Sequence, residues 1–182
     1  MVSKGSPTII AISGKSGCGN TTVSRLVAES LGLTFINYTF RTLAEERGID
    51  LKEILFKAET DSAWDRLVDS RQVELARSGS CVVGSRLALW MIPEATLKVY
   101  LKASHEARVA RIHAREQGDI QAISRFTAER DSRDHDRYKE LYGIDTDDTK
   151  SAHLVIDTER WSAGEVASII VHAFKSRGEQ ND

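Results

Sequence analysis

Cysteine, proline and long apolar runs are scarce in this chain, and each shortage removes a class of protein. Of 182 residues only Cys18 and Cys81 are cysteine, too few for a disulfide scaffold to carry the fold. They fall just past one predicted strand and at the start of another, at opposite edges of a parallel sheet, so no bond between them is expected. No apolar run approaches membrane-spanning length. Met1 to Ser6 is short and polar, unlike a secretory leader, so the expected compartment is the cytoplasm. The formal charge is −2, which gives no general reason to expect a nucleic acid or a membrane as partner. With two prolines, no internal repeat and no linker, the chain reads as one domain around one core, and a monomer is expected.

What the sequence does have is concentrated between Pro7 and Leu33. Thr8 to Ser13 is an apolar run, and Gly14-Lys15-Ser16-Gly17-Cys18-Gly19-Asn20-Thr21-Thr22 follows it. Val23, Leu26, Val27 and Leu31 then recur at helical spacing up to Gly32. The pattern is a buried strand, a glycine-rich turn and a helix. Three glycines let the backbone curl with its N–H groups inward, and the helix start adds the positive end of its dipole. The turn is thereby an anion cradle of phosphate size. Its spacing matches the phosphate-binding loop G-x-x-x-x-G-K-[ST] except that Asn20 stands in the lysine position. Asparagine donates hydrogen bonds but neutralises nothing, and losing a charged donor from a transfer site costs on the order of a hundredfold in rate. Lys15, one place after the first glycine, offers a substitute charge or points to solvent. A turn of no chemical meaning competes for the loop alone; the strand before it and the helix after it favour phosphate. Cys18 sits where a thiolate is favoured and could be reactive, but a small residue merely tolerated by the loop is the better reading.

Strand and helix then alternate. Strands are predicted at Thr34 to Asn37, Ser80 to Val83, Leu97 to Leu101 and Leu154 to Asp157, and helices at Phe40 to Gly48, Ile49 to Glu59 and Asp61 to Ser78. A short helix ends at Trp90. Ser104 to Tyr142 is helical and arginine-rich with a break near Gly118, and the helix from Ser162 to Phe174 opens with Ser162 and Glu165 as a capping box. The tail from Lys175 is polar, and fraying is expected there. The order implies a five-stranded parallel sheet between helices, an α/β fold of three layers. Ligands in such sheets bind beyond the carboxyl ends of the strands, where the loops at Gly14, Asn37, Gly84 and Ala103 would meet.

Arginines crowd the same region. Arg41 begins the helix after the second strand, Arg86 follows the third, and Arg108, Arg111 and Arg115 share one helix face. Arg125, Arg130, Arg133 and Arg137 come next. A solvated face paired with Glu106, Glu116, Glu129, Asp131 and Asp134 explains any one of them. The group suits phosphoryl transfer, where planar guanidinium forks neutralise charge spread over several oxygens. The histidines show no metal-ligand spacing, and Asp145, Asp147 and Asp148 read as a solvated acidic turn. Trp64, Trp90 and Trp161 read as packing anchors, with Trp161 able to border a base pocket.

These pieces carry a resemblance. The chain resembles cytidylate kinases of the nucleoside monophosphate kinase family, especially the short archaeal type, from the glycine turn through Trp161-Ser162. The most telling segments are Arg71-Gln72, Arg86-Leu87-x-x-Trp90-Met91, Arg125-x-x-x-x-Arg130 and Arg137-Tyr138-Lys139-Glu140-Leu141-Tyr142-Gly143-Ile144-Asp145. Arg130-Asp131-x-x-Asp134-x-x-Arg137 is similar to the lid of the longer bacterial type.

The resemblance implies a P-loop kinase with a core of residues 7–37, 80–117 and 152–175, a helical nucleotide-binding insert at 38–79 and an arginine-rich lid at 118–145. It implies transfer of the γ-phosphoryl group of ATP, with Mg2+, to CMP or dCMP. Gly14 to Thr22 would cradle the donor phosphates, with the Thr21 hydroxyl towards magnesium. Arg41 and Arg86 would hold the acceptor phosphate, Arg111 and Arg115 would face the donor, and Arg130 would clamp the transferring group. Asp134 and Arg137 would lie over the acceptor. The chain departs from the family at Asn20, at Gly84-Ser85 where an acidic residue and glycine are expected, and in a short Asn37-Tyr38-Thr39 loop. A nucleotide-binding protein of kinase fold with little catalysis, or a kinase for UMP, AMP or another small acceptor, is the alternative.

Overall fold

In the computed structural model, which describes residues 7–178, strand β1 (Ile9–Ser13) is buried along its whole length, as the centre of a sheet must be. Four further strands, β2 (Thr34–Ile36), β3 (Cys81–Gly84), β4 (Leu97–Lys102) and β5 (Leu154–Asp157), complete a parallel sheet of order β2-β3-β1-β4-β5. Ile9 to Ile12 pair with Cys81 to Gly84 on one side, and Ile10 to Ser13 with Leu97 to Tyr100 on the other.

Strand periodicity sorts the core into two faces. Ile10, Ile12, Val82, Val99 and Leu101 pack beneath α1 (Asn20–Leu31) and α8 (Ala163–Gly178), contributing Val23, Val27, Val166 and Ile170. Ile9, Ala11, Cys81 and Val83 turn the other way. They meet Val73 and Ala76 of α4 (Ala63–Arg77), Ala88 of the short α5 (Ala88–Met91) and Ile92 beyond it. Both cysteines are buried and unpaired.

A third, smaller core stands off the sheet. Tyr38, Leu43, Ala44, Ile54 and Val68 join α2 (Phe40–Arg47) and α3 (Leu51–Ala58) to the outer face of α4. This is the region expected to be a helical insert, and its apolar residues are its own rather than borrowed from the strands. The arginine-rich stretch forms α6 (His105–Glu116) and α7 (Ile120–Tyr142). Gln117 and Gly118 break them apart with φ of 58° and 102°, and Asp119 caps α7 by accepting from Gln121 N and Ala122 N. The capping box is present: Ser162 N donates to Glu165 Oε2 at 2.8 Å, and Glu165 N to Ser162 Oγ at 3.2 Å. Helix α8 runs to Gly178, past Phe174 where the apolar pattern stops. The N-terminal Met1 to Ser6 and the end of the expected tail, from 179 on, lie outside the described residues.

Candidate active site

The loops after β1, β2, β3 and β5 meet around a cavity of about 790 Å³. Gly17, Asn37, Ser85 and Thr158 represent those four loops in its wall, while α4, α6 and α7 close its sides. Ala103, after β4, lies instead in a separate side pocket.

The glycine turn is shaped from behind. Gly17 and Gly19 have φ of 85° and 97°, a conformation that favours glycine. A Cβ on Gly17 would also stand 2.9 Å from Cβ of Arg108, so the turn lies directly on α6. Its carbonyls are tied one after another. Arg108 Nη1 donates to Ser16 O at 3.1 Å, and Arg111 Nη1 to Gly17 O at 3.3 Å. The Thr158 hydroxyl is shared between the carbonyls of Cys18 (3.3 Å) and Lys102 (3.2 Å). These bonds fix the peptides of the turn, which is also closed internally where Cys18 N donates to Lys15 O at 3.1 Å. Arg108 is only 5% exposed, and its second nitrogen pairs with Asp131 of α7 at 2.7 Å.

Asn20 uses its amide within the turn: Nδ2 donates to Gly14 O at 2.5 Å, and Oδ1 is buried without a partner. The residue in the lysine position therefore closes the loop on itself, where the sequence suggested a donor for phosphate. Lys15 pairs with Asp147 at 2.7 Å instead of lying free over the turn. Burial pushes the Cys18 thiol up, against a weaker pull from Arg108, so the reactive-thiolate reading fails. Thr21 and Thr22 are exposed at the mouth of the cavity. At the end of β3, a Cβ on Gly84 would meet Ser24 Oγ at 2.4 Å. The β3–α1 packing leaves no room for the acidic side chain expected there.

On the opposite wall the charges are crowded. Asp134 accepts from Arg86, lies 3.0 Å from Arg137 and has Arg130 at 3.9 Å. Arg137 also reaches Asp65 of α4 at 3.2 Å. Burial, then the neighbouring Arg130 charge, lowers the Arg86 guanidinium to about 10, still charged at neutral pH. Arg86, Arg111, Arg115, Arg130 and Arg137 all line the cavity with the glycine turn. Arg115 is the most exposed of them, turned to Glu116. Arg41 is not among them; it is exposed in the first turn of α2 while Thr39 and Phe40 beside it line the wall. Asp134 lies behind the arginines in a small adjoining pocket, so it organises guanidinium groups and does not face the main cavity. Trp161, 49% exposed, does line it, whereas Trp90 packs edge-on against Tyr100 and Trp64 against the small helical core.

Sequence reasoning missed most of the polar face of α4. Asp65, Asp69 and Gln72 line the cavity, and of these only Gln72 was singled out from the sequence, as part of the family resemblance. The Tyr142 hydroxyl donates to Asp69 at 2.7 Å. Burial pushes the Asp69 carboxyl up to about 6, aided by the Asp65 charge and opposed by Tyr142 and Arg137. Their i, i+4, i+7 spacing was the available signal. Also unforeseen was the grouping of His135 with Asp145 and Asp147, whose ligand atoms lie within 4.8 Å of one another. His135 comes from α7 and the aspartates from the next loop, so no linear spacing announces them, and Lys15 already occupies Asp147.

A parallel sheet with this strand order, a glycine turn after its central strand and arginines gathered across the mouth define a kinase of P-loop fold. A solved shikimate kinase from Bacteroides thetaiotaomicron superposes with a TM-score of 0.63 at 14% identity, over 92% of this chain and 98% of that one. Residues 9–160 match the cytidylate kinase-like family, and the chain belongs to that family. It is 43% identical to a cytidylate kinase 2 of Borreliella afzelii over 176 residues, covering 94% of this chain and 99% of the relative. Identity to a cytidylate kinase of Pyrococcus horikoshii is 38% over 168 residues, 91% and 88% of the two chains.

Proposed function

We propose that this protein transfers the γ-phosphoryl group of ATP directly to CMP or dCMP, giving the diphosphate. The observation that carries the reading is the convergence of Arg86, Arg130 and Arg137 with the glycine turn on one cavity, in a chain so similar to named cytidylate kinases. The turn from Gly14 to Thr22 cradles the donor phosphates, its carbonyls held by Arg108, Arg111 and Thr158. Arg115 and Arg130, the least committed arginines, approach the transferring group, where positioned charge supplies most of the rate. Arg86 and Arg137 receive the acceptor phosphate, which takes the place of Asp134 as their partner. Arg41 joins them when α2 and α3 move towards the turn, a motion their separate small core permits. Core, insert and lid would then be the segments 7–37 with 80–117 and 152–175, 38–79, and 118–145.

Magnesium fits this site in a particular way. Gly84 excludes a carboxylate from the strand end, and Thr21 offers an exposed hydroxyl at the cavity. The ion would rest on Thr21, phosphate oxygens and water, as its preference for retained water permits; when bound it neutralises charge on the phosphates. Small molecules are the expected partners, with no role for nucleic acid or membrane, and none of the described helices is long and apolar enough to cross one. The test is ADP release in a coupled assay with CMP, dCMP, UMP and AMP offered separately. Turnover fastest with CMP or dCMP supports the reading; ATP binding without turnover on any acceptor assigns the chain to nucleotide binding alone.

A further inference from the structure

Along the cavity-facing side of α4, at i, i+4 and i+7, stand Asp65, Asp69 and Gln72. Asp65 and Gln72 are 5% and 3% exposed, the burial of core leucines rather than of surface acids and amides. The chain satisfies half of each. Asp65 pairs with Arg137, and Gln72 Nε2 donates to Ser85 Oγ at 2.8 Å while Ser85 Oγ also accepts from Ala88 N at 3.1 Å. The remaining acceptor of each, Asp65 Oδ2 and Gln72 Oε1, is buried with no hydrogen-bond partner. An orphaned buried acceptor is costly, and an apolar residue would serve packing better. Two of them on one helix face, both in the wall of the same cavity, are an unfilled demand for hydrogen-bond donors.

Pyrimidines differ in whether they can meet it. Cytosine carries an exocyclic amino group at position 4 with two N–H donors, where uracil carries a carbonyl acceptor. The geometry points to Asp65 and Gln72 as the specificity-determining residues of the acceptor site, accepting from the 4-amino group of cytosine and turning away uracil. This rests on the reading of the protein as a pyrimidine monophosphate kinase. A ring seated against α4 gives each orphaned oxygen one N–H, and the nearby Asp69 carboxyl, held by Tyr142, adds negative potential that favours an amino edge. A uracil in the same pose sets its O4 against two acceptors with no proton between them. Sites built to hydrogen-bond a substrate group reject analogues lacking it far more strongly than apolar pockets reject a change of shape.

The experiment compares kcat/KM for CMP and UMP in the native protein, in Gln72→Leu, which keeps the volume and removes the acceptor, and in Asp65→Asn, which puts a donor beside O4. Thermal melts establish that each variant is folded. The native ratio of CMP to UMP is expected to be at least a hundredfold. It should fall at least tenfold in Gln72→Leu through loss of CMP turnover, with UMP turnover held within threefold, and it should fall in Asp65→Asn through a gain with UMP. CMP methylated once and twice on the 4-amino nitrogen probes the native protein without any mutation, and turnover should fall with each donor removed. Equal use of CMP and UMP by the native protein, or an unchanged ratio in both folded variants, overturns the assignment and leaves the kinase reading intact. Turnover of no nucleoside monophosphate at all removes both.

Discussion

The two walls of the cavity are built by opposite rules. Around the glycine turn the chain matches its own polar groups: the carbonyls of Gly14, Ser16, Gly17 and Cys18 each accept from Asn20, Arg108, Arg111 or Thr158. Across the mouth, three arginines share Asp134, and Asp65 and Gln72 each keep an oxygen unpaired. A wall satisfied from within is preorganised and needs no rearrangement when an anion arrives. A wall with leftover charge and acceptors is completed by its ligand, and its side chains redistribute when that happens. Asn20 Oδ1 is the exception on the ordered side.

Substitutions that strike one wall at a time sharpen this contrast. Arg130→Ala removes an exposed arginine that no folded-state contact depends on strongly; we expect kcat to fall about a thousandfold, roughly 4 kcal/mol, with the melting temperature unchanged. Arg108→Ala strikes the ordered wall and should behave the opposite way. It leaves Asp131 without its buried partner and Ser16 O without its donor, so urea denaturation should show a loss of about 3 kcal/mol. Gly17→Ala forces a Cβ into Arg108 at positive φ, and a loss of about 2 kcal/mol in stability is expected alongside weaker ATP binding in calorimetry. If Gly17→Ala instead weakened CMP and spared ATP, the division into two walls would be wrong.

The smallest effect is one of pH. Burial pushes the Asp69 carboxyl up to about 6 in the folded protein, against about 4 in an unfolded chain. Because the folded value is the higher, its contribution to stability is complete below about pH 4 and is lost as pH rises through 6. Asp69→Asn keeps an acceptor for Tyr142 and removes that loss. The variant should be more stable than the native protein by about 1 to 2 kcal/mol at pH 8 and equal to it near pH 4, as read from denaturant midpoints at the two values.

Strands and helices were legible because each follows from local pattern. Ile9 to Ile12 and Val82-Val83 announce buried strands by composition, and Gly32, Gly48 and Gly143 end helices with left-handed residues at 64°, 64° and 67°. The glycine turn was legible as a tight loop between strand and helix for the same reason, with Gly17 and Gly19 at positive φ. What those side chains do was not, because it depends on partners remote in sequence. Asn20 read as a donor to phosphate, yet it folds back on Gly14. Arg108 read as one of three arginines on a face, but its neighbours Ser16 and Asp131 lie 92 and 23 residues away. Arg41 was placed at the acceptor by the family resemblance, and in the structure it is exposed and outside the lining. Gly84 read as a missing acid until the packing against Ser24 gave the reason.

Helix α7 is an unbroken rod of 23 residues. Asp131, which pairs with Arg108 beneath the glycine turn, and Arg137, which we propose serves the acceptor side, are six residues apart on it, about 9 Å along its axis. A stiff lever with both attachments so close together cannot tighten at one end and stay slack at the other. Occupancy of either nucleotide pocket should therefore be felt by its neighbour as a change in affinity, and equally in both directions.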